Sequence, residues 1–341
     1  MALTPSLRAE LARSPLALGG APLGNLYRAL PDTQAIALVQ RAWDAGVRYF
    51  DTAPHYGNGR SETRFGMALR NVPRDSFVLS TKVGRLLRPD AGAPPDQHGY
   101  VDVPKFVQAY DYSREGVLRS LADSQRRLRL DRIDIAYVHD LDQATHGTAF
   151  ERHFRTLLDS GLPALAELKE AGIIGGYGIG VNGVAISLQT LRHADIDVIL
   201  LAGRYTLADQ SALPELLPEC RRRDIAVVLG GPFNSGILAT GAAGAHGQPP
   251  HFDYAPATAN VVARVAAIDA VCHRHAIPLA AAALQFPLGH PAIALVLAGA
   301  RSSAEFGTNV ALMRLAIPPA FWAELRERGL IAADAPLSTS R

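Results

Sequence analysis

The chain has 341 residues, 48% hydrophobic and 19% charged, with a formal net charge of +2. That balance describes a globular protein with a large core and excludes a disordered chain. The small charge leaves no electrostatic footprint for nucleic acid or a membrane surface, and no stretch reaches the ~18 apolar residues of a membrane span. The N-terminus carries Arg8, Glu10 and Arg13 without a long apolar run, so no signal peptide is expected. Cys220 and Cys272 lack metal or redox spacing and read as buried free thiols of a reducing compartment. The expectation is a cytoplasmic protein, a monomer or weak homo-oligomer, with no metal.

In chain order, Leu16 to Leu23 reads as a first strand interrupted by glycine. Asp32 can cap a helix with Ile36, Val39 and Trp43 at helical spacing, ended by Gly46. Val47 to Phe50 is a short buried strand ending at Asp51. Pro54, Gly57 and Gly59 force an irregular loop, which carries Tyr56. Ser61 can cap the next helix, with Glu62 in its first turn and Phe65, Ala68 and Leu69 on its buried face. Phe77 to Lys82 is a strand with Lys82 at its end. Gly84 to Asp111, with Pro89, Pro94, Pro95 and Pro104, is a long connection without a structural pattern of its own, the kind that is functional or mobile. Ser113 caps a helix presenting Val117, Leu121 and Leu128.

Ile133 to Val138 is a strand with His139 and Asp140 at its end. A helix over Leu162 to Ala171 stops at Gly172, and a glycine-rich strand, Ile173 to Val181, leads to Asn182. Asp197 to Leu201 is a strand followed by Arg204 and Tyr205. Leu213 to Arg223 is helical, and Ile225 to Leu229 is a strand running into Gly230, Gly231 and Pro232. A second long loop spans Phe233 to Ala259. Val261, Val265, Ile268 and Cys272 mark a helix, and Ala292 to Leu297 is the last strand, leading into Gly299, Ala300, Arg301 and Ser302. The result is a strand–helix alternation repeated through the chain. It predicts a single (β/α)8 barrel with long loops after strands 3 and 7, the alternative being a doubly wound open sheet. The expected layout is an N-terminal extension over 1–14, the barrel over 15–330 and a C-terminal tail over 331–341, frayed after Pro336.

A parallel barrel opens all its strand C-termini on one face, so Asp51, Lys82 and His139 converge there with Tyr56 just beyond. The only lysines are Lys82, Lys105 and Lys169; every other plain positive charge is an arginine. A lysine at a strand end therefore points to a compact charge needed beside a reacting group. A phenol has a pKa near ~10. An ammonium beside it favours the phenolate, and a carboxylate holds that ammonium in place. Tyr56, Lys82 and Asp51 thus read as a tuned proton donor or acceptor, with His139 orienting the substrate oxygen. The plainer reading is an Asp51–Lys82 ion pair that only ties two strands together. Cys272, His273 and His275 lie on or near a helix with mixed faces and read as core and surface residues. His246 and His251 sit in a loop, and Arg221 to Arg223 is a solvated helix end.

The set Asp51, Tyr56, Lys82 and His139 resembles the aldo-keto reductase superfamily. So do the strings GVRYFDTAPHYG, STKVGRLLRP, DYSREGVLRSLADSQRRL, DRIDIAYVHD, GGPFNSGIL and GARSSAEFGTN. The likeness is to the branch of D-threo-aldose (L-fucose) 1-dehydrogenases and pyridoxal 4-dehydrogenases, and it runs from about Leu16 to Leu315. It implies a nicotinamide cofactor bound across the barrel mouth without a Rossmann motif. The glycine-rich segments 19–24 and 176–180 fit neither a P-loop nor a dinucleotide fingerprint. By the same resemblance, Asn182 holds the carboxamide, and Gly231, Pro232, Asn234 and Gly236 form the pyrophosphate loop. Gly299, Ala300, Arg301 and Ser302 meet the adenosine phosphate or ribose, and Asn309 the adenine. Many members carry an aromatic ring where this chain has Gly230, so Phe233 or Tyr205 is expected to stack on the nicotinamide instead. Glu305 stands where NADP-preferring members often have Arg and would repel a 2′-phosphate, which favours NAD, with NADP possible through Arg301. The implied activity is oxidation of an aldose at its anomeric carbon to an aldonolactone. Alternatives are oxidation of pyridoxal to its lactone, or a cofactor-binding regulatory subunit such as the potassium-channel β subunits.

Overall fold

The structure is a computed structural model and describes residues 3–244 and 247–337. His246 and the last residues of the expected tail lie outside them. Eight strands form the barrel: β1 (Leu16–Gly19), β2 (Tyr49–Asp51), β3 (Val78–Val83), β4 (Ile135–His139), β5 (Gly176–Val181), β6 (Val198–Ala202), β7 (Ala226–Gly230) and β8 (Ile293–Gly299). Each pairs in parallel with its neighbour. β8 pairs back onto β1 through Leu16↔Val296 to Gly19↔Gly299, which closes the ring and excludes the open sheet.

The strands are short apolar runs because both of their faces are covered. Alternate residues point opposite ways. Ala17, Tyr49, Val78, Ile135, Val198, Val228 and Leu295 fill the interior, while Leu18, Phe50, Leu79, Ile199, Val227 and Val296 pack outward under the helices. Inside, the buried hydroxyls of Tyr49 and Tyr137 bond each other at 2.8 Å, which removes the cost of burying either alone. The helix Pro5–Ala12 presses Leu7 and Leu11, with Leu3 just before it, into the same interior cluster. The expected N-terminal extension therefore floors the barrel.

Several local expectations change. The helix Asp32–Asp44 has Pro31 at its cap position, and Asp32 in the first turn pairs with Arg64 at 2.8 Å. Its buried stripe is Ala35, Leu38, Val39 and Ala42, leaving Ile36 and Trp43 half-buried. The helix Arg60–Leu69 begins after Gly59, whose φ of 84° suits glycine. Ser61 is not its cap: the hydroxyl donates to Gly20 O (2.8 Å) and accepts from Thr52 (2.9 Å), tying β1 to the end of β2. Ser113 does cap Arg114–Leu128, accepting from Gly116 N at 3.2 Å.

The long loops are not structureless. After β3, Arg85–Pro89 pairs antiparallel with Phe106–Tyr110. After β7 there is a short helix, Ile237–Thr240, and a small ladder of His251–Phe252 with Ala255–Pro256. The run Phe106-Val107-Gln108-Ala109-Tyr110 is rich in strand formers, but the surrounding prolines mask it.

Candidate active site

At the open end of the barrel, Lys82 Nζ donates to Asp51 Oδ2 (2.6 Å) and to Thr52 O (3.0 Å). Ser80, one pleat back on β3, donates to Asp51 Oδ1 at 2.7 Å. Both charges are buried, Asp51 1% and Lys82 2% exposed, and they persist there because each is paired and hydrogen-bonded. Burial pushes the Asp51 carboxyl up, and the Lys82 charge opposes it. The Lys82 ammonium lies 4.6 Å from the centre of the Tyr56 ring, and the His139 ring meets Tyr56 edge-on at 5.9 Å. Tyr56, Lys82 and His139 therefore line one cavity of about 370 Å³, with Asp51 paired to Lys82 behind its wall.

The Tyr56 loop is set by a backbone crossing. A side chain at Gly57 (φ 65°) would bring its Cβ within 2.1 Å of Gly24 O. Only two glycines allow the chain to cross here and carry Tyr56 over Lys82.

The expectation of an acidic phenol is corrected. Burial, reinforced by the charges of Asp51 and Asp140, raises the Tyr56 pKa well above its ordinary value. The Lys82 ammonium is already paired with Asp51, so it does not by itself offset that burial in the unliganded protein. His139 moves the other way. Burial first, then the cations Arg85 and Lys82, hold it well below its ordinary range, so it is neutral at neutral pH. Its Nδ1 is buried without a partner among the described residues.

Residues that sequence reasoning passed over complete the cavity. Arg85, 6% exposed, pairs with Asp140 at the β4 end and lies over the Tyr110 ring. Tyr100 stacks on Tyr56 at 6.2 Å and is pinned by bridges to Leu26 and Gln97. His55, His98, Tyr27 and Tyr254 also line it. In a sequence Arg85 is one arginine among many, and Tyr100 sits in a stretch with no periodicity. Asp140, next to His139, was the visible signal.

The residues expected to hold the cofactor fall at the ends of β5 to β8, and they divide. Asn182 lines the cavity together with Tyr254. Arg204 donates to Asn182 O (2.6 Å) and grips both Asp253 oxygens (2.8 Å each), which holds Tyr254 in place. After β7, Gly231 (φ 60°), Asn234 (φ 44°) and Gly236 (φ 107°) make a left-handed turn, with Pro232 buried and Phe233 packed on the core. The Asn234 side chain is occupied by Gly203 O and Thr206, so it shapes this loop. Tyr205 is a correction. The chain turns at Gly203 (φ 70°) and buries Tyr205 between Phe286 (5.2 Å) and His290 (5.6 Å), where it cannot stack on anything in the cavity.

After β8, past Gly299 and the buried Ala300, Ser302 caps the helix Ser303–Met313. Glu305 accepts from Arg301 N at 2.8 Å, and the Arg301 guanidinium donates to Leu26 O (2.7 Å) and Arg28 O (3.2 Å). Asn309, 5% exposed, has a buried Nδ2 with no partner among the described residues. A buried donor left open is costly unless a ligand accepts from it, and an adenine ring nitrogen is such an acceptor. On that ground the residues present fit a dinucleotide.

The remaining titratable groups lie elsewhere. His275 pairs with Glu324 (2.7 Å), His273 with Asp269 (3.6 Å), and burial pushes the free thiols Cys220 and Cys272 up to about 12. Among the described residues no three His, Cys, Asp or Glu side chains group to hold a metal, and no helix is long and apolar enough to cross a membrane.

Residues 15–329 match the Aldo/keto reductase family. The chain is 44% identical over 335 residues to a pyridoxal 4-dehydrogenase of Microbacterium luteolum, covering 95% of this chain and 96% of the relative. It is 42% identical over 328 residues to a D-threo-aldose 1-dehydrogenase of a Pseudomonas species, with the same coverage. Among solved structures, the holo form of an aldo-keto reductase from Bacillus halodurans superposes with a TM-score of 0.71 at 25% identity, over 96% of this chain and 94% of the other. A closed parallel barrel with Asp, Tyr, Lys and His at its mouth, matched along nearly its whole length, leaves one assignment: the chain belongs to the aldo/keto reductase family, whose enzymes are oxidoreductases using nicotinamide cofactors.

Proposed function

We propose that this protein oxidises the anomeric carbon of an aldose to an aldonolactone, with NAD as the preferred cofactor and Tyr56 as the general base. The observation that supports this best is the Tyr56 ring held between Lys82 (4.6 Å) and His139 (5.9 Å) at a cavity large enough for one sugar ring. A bound nicotinamide supplies the hydride acceptor and, while oxidised, a positive charge that favours the phenolate. Asn182, the 231–236 turn, the 299–302 segment and Asn309 would hold that cofactor. Tyr56 takes the proton of the anomeric hydroxyl, and neutral His139 holds the same oxygen. Asp51 fixes Lys82 beneath the phenol, where its charge steadies the phenolate as it forms. Loss of the C1 hydrogen with its electron pair leaves the ring ester.

Two contacts support NAD. Glu305 brings a carboxylate to the expected ribose site, and Arg301, the cation able to offset it, is committed to the carbonyls of Leu26 and Arg28. The setting that goes with this reading is a cytoplasmic enzyme of small molecules, monomeric or weakly associated.

A second reading, oxidation of pyridoxal, draws on the aromatic rings at the cavity, Tyr27, Tyr100 and Tyr254, and on the relative that bears that name. Both substrates are cyclic hemiacetals oxidised to lactones. Reduced-nicotinamide absorbance with L-fucose, L-galactose, D-arabinose and pyridoxal, each with NAD and NADP, separates them. The aldose reading expects the highest kcat/KM with a sugar and NAD; a preference for pyridoxal transfers the assignment to the second. Tyr56→Phe should lower kcat by about 10²- to 10⁴-fold while NAD still quenches protein fluorescence. Turnover at the parent rate in that variant removes Tyr56 from the reaction.

A further inference from the structure

His55 precedes Tyr56 and lines the same cavity, beside the residues that act on the substrate. Its polarity is dictated from the hairpin loop after β3. Asn58 is buried, and its Nδ2 donates to the main-chain carbonyls of Pro104 (3.2 Å) and Phe106 (3.1 Å). A carbonyl oxygen only accepts, so the Asn58 amide has a single orientation, with Oδ1 toward Gln108. Gln108 Nε2 donates to that oxygen at 3.1 Å. Gln108 Oε1 is then the atom that meets His55 Nδ1, at 3.1 Å, and Nδ1 must carry the proton. In a neutral imidazole the other nitrogen is consequently bare.

Arg85 reinforces this arrangement. Its Nη1 lies 3.5 Å from Gln108 Oε1 and 3.3 Å from His55 Nδ1. Donation to Gln108 agrees with the chain of donors just described. Donation to Nδ1 would leave two acceptors facing each other at 3.1 Å. Burial, aided by the Arg85 charge, pushes the His55 pKa down to about 3, so no second proton arrives at neutral pH. Among the described residues no side chain or carbonyl pairs with Nε2.

The His55 ring stands 6.2 Å from the Tyr56 ring and 5.6 Å from the His139 ring, the two groups that hold the reacting oxygen. A substrate group bound to His55 is therefore a near neighbour of that oxygen. We infer that His55 Nε2 is a fixed hydrogen-bond acceptor for the hydroxyl on the carbon next to the reacting one, so that His55 selects 2-hydroxy aldoses and Gln108 is the positioning residue that sets its polarity. This rests on the dehydrogenase reading. A substrate with no donor there leaves a desolvated lone pair unmet, and that omission is penalised more than a misfit in size.

Two measurements test the inference. Two-bond ¹H–¹⁵N correlation of histidine-labelled protein at pH 7 should show the Nδ1–H tautomer for His55. In Gln108→Met, Arg85 is free to donate to Nδ1, and the proton should move to Nε2. An Nε2–H tautomer or an imidazolium in the parent protein overturns the inference, as does a tautomer that ignores Gln108→Met. In kinetics, the parent should prefer L-fucose over 2-deoxy-L-fucose by roughly 10- to 100-fold in kcat/KM, and His55→Phe should bring that ratio close to one. An unchanged ratio in a folded His55→Phe overturns the selection role. If no hemiacetal is oxidised at all, the dehydrogenase reading falls by itself, and the tautomer measurement still decides whether His55 presents an acceptor.

Discussion

Tyr56 keeps its proton in the unliganded protein because burial outweighs an ammonium already balanced by Asp51. This sets the pH behaviour of the two reaction directions. A group with a raised pKa is protonated below it, so the fraction of phenolate, and with it the rate of hydroxyl oxidation, grows as pH rises. We expect log kcat/KM for aldose oxidation to climb steadily from pH 6 toward pH 9.5, while carbonyl reduction is favoured at lower pH. His139 should add no inflection near its ordinary pKa of 6.5, because burial keeps it neutral throughout that range. A bell-shaped oxidation profile with a limb near pH 6.5 would contradict this account. At the same scale, Asp51, Lys82 and His139 were legible as reactive residue types near strand ends, because parallel strands open their C-terminal ends on one face. The sign of the Tyr56 shift was not, since it depends on how many charges share the buried volume.

At the scale of elements, the loop from Asp51 to Arg60 is held by backbone against backbone. Gly57→Ala puts a methyl group on Gly24 O in a left-handed conformation that costs alanine about 1 kcal/mol or more by itself. The chain must separate there. We expect a stability loss of about 1–3 kcal/mol by urea unfolding and a loss of order 10²-fold in kcat as Tyr56 shifts from Lys82. Full activity with lowered stability would show that the crossing supports the fold and not the phenol. The hairpin Arg85–Pro89 with Phe106–Tyr110 does for the opposite wall what the glycine crossing does for Tyr56. It brings Arg85 to Asp140 and Gln108 to His55 from strands absent from the barrel itself. Sequence patterns saw only proline and length in this segment, because two five-residue strands outside the repeat leave too short an alternation to detect.

For the molecule as a whole, the barrel separates what stabilises from what reacts. Leu3, Leu7 and Leu11 close one end with apolar contacts, and the polar constellation occupies the other. Leu11, 1% exposed, should cost about 2–4 kcal/mol when replaced by Ala. Leu11→Ala should leave kcat within about twofold of the parent, since only the packed interior connects the two ends. A loss of activity at full occupancy of the folded state would mean that the floor is coupled to the mouth.

By itself the sequence determined the parallel strand–helix alternation that predicts a barrel, and it placed Asp51, Lys82 and His139 near strand ends with Tyr56 just beyond. These follow from periodicity and from the rule that parallel strands share one active edge. Only the tertiary structure decided the protonation of Tyr56, the burial of Tyr205 away from the cavity, the engagement of Arg301 by Leu26 and Arg28, and the polarity of His55. Each of these turns on which distant group occupies the space beside a side chain. Burial, charge balance and donor–acceptor matching belong to that neighbourhood and have no trace in local residue spacing.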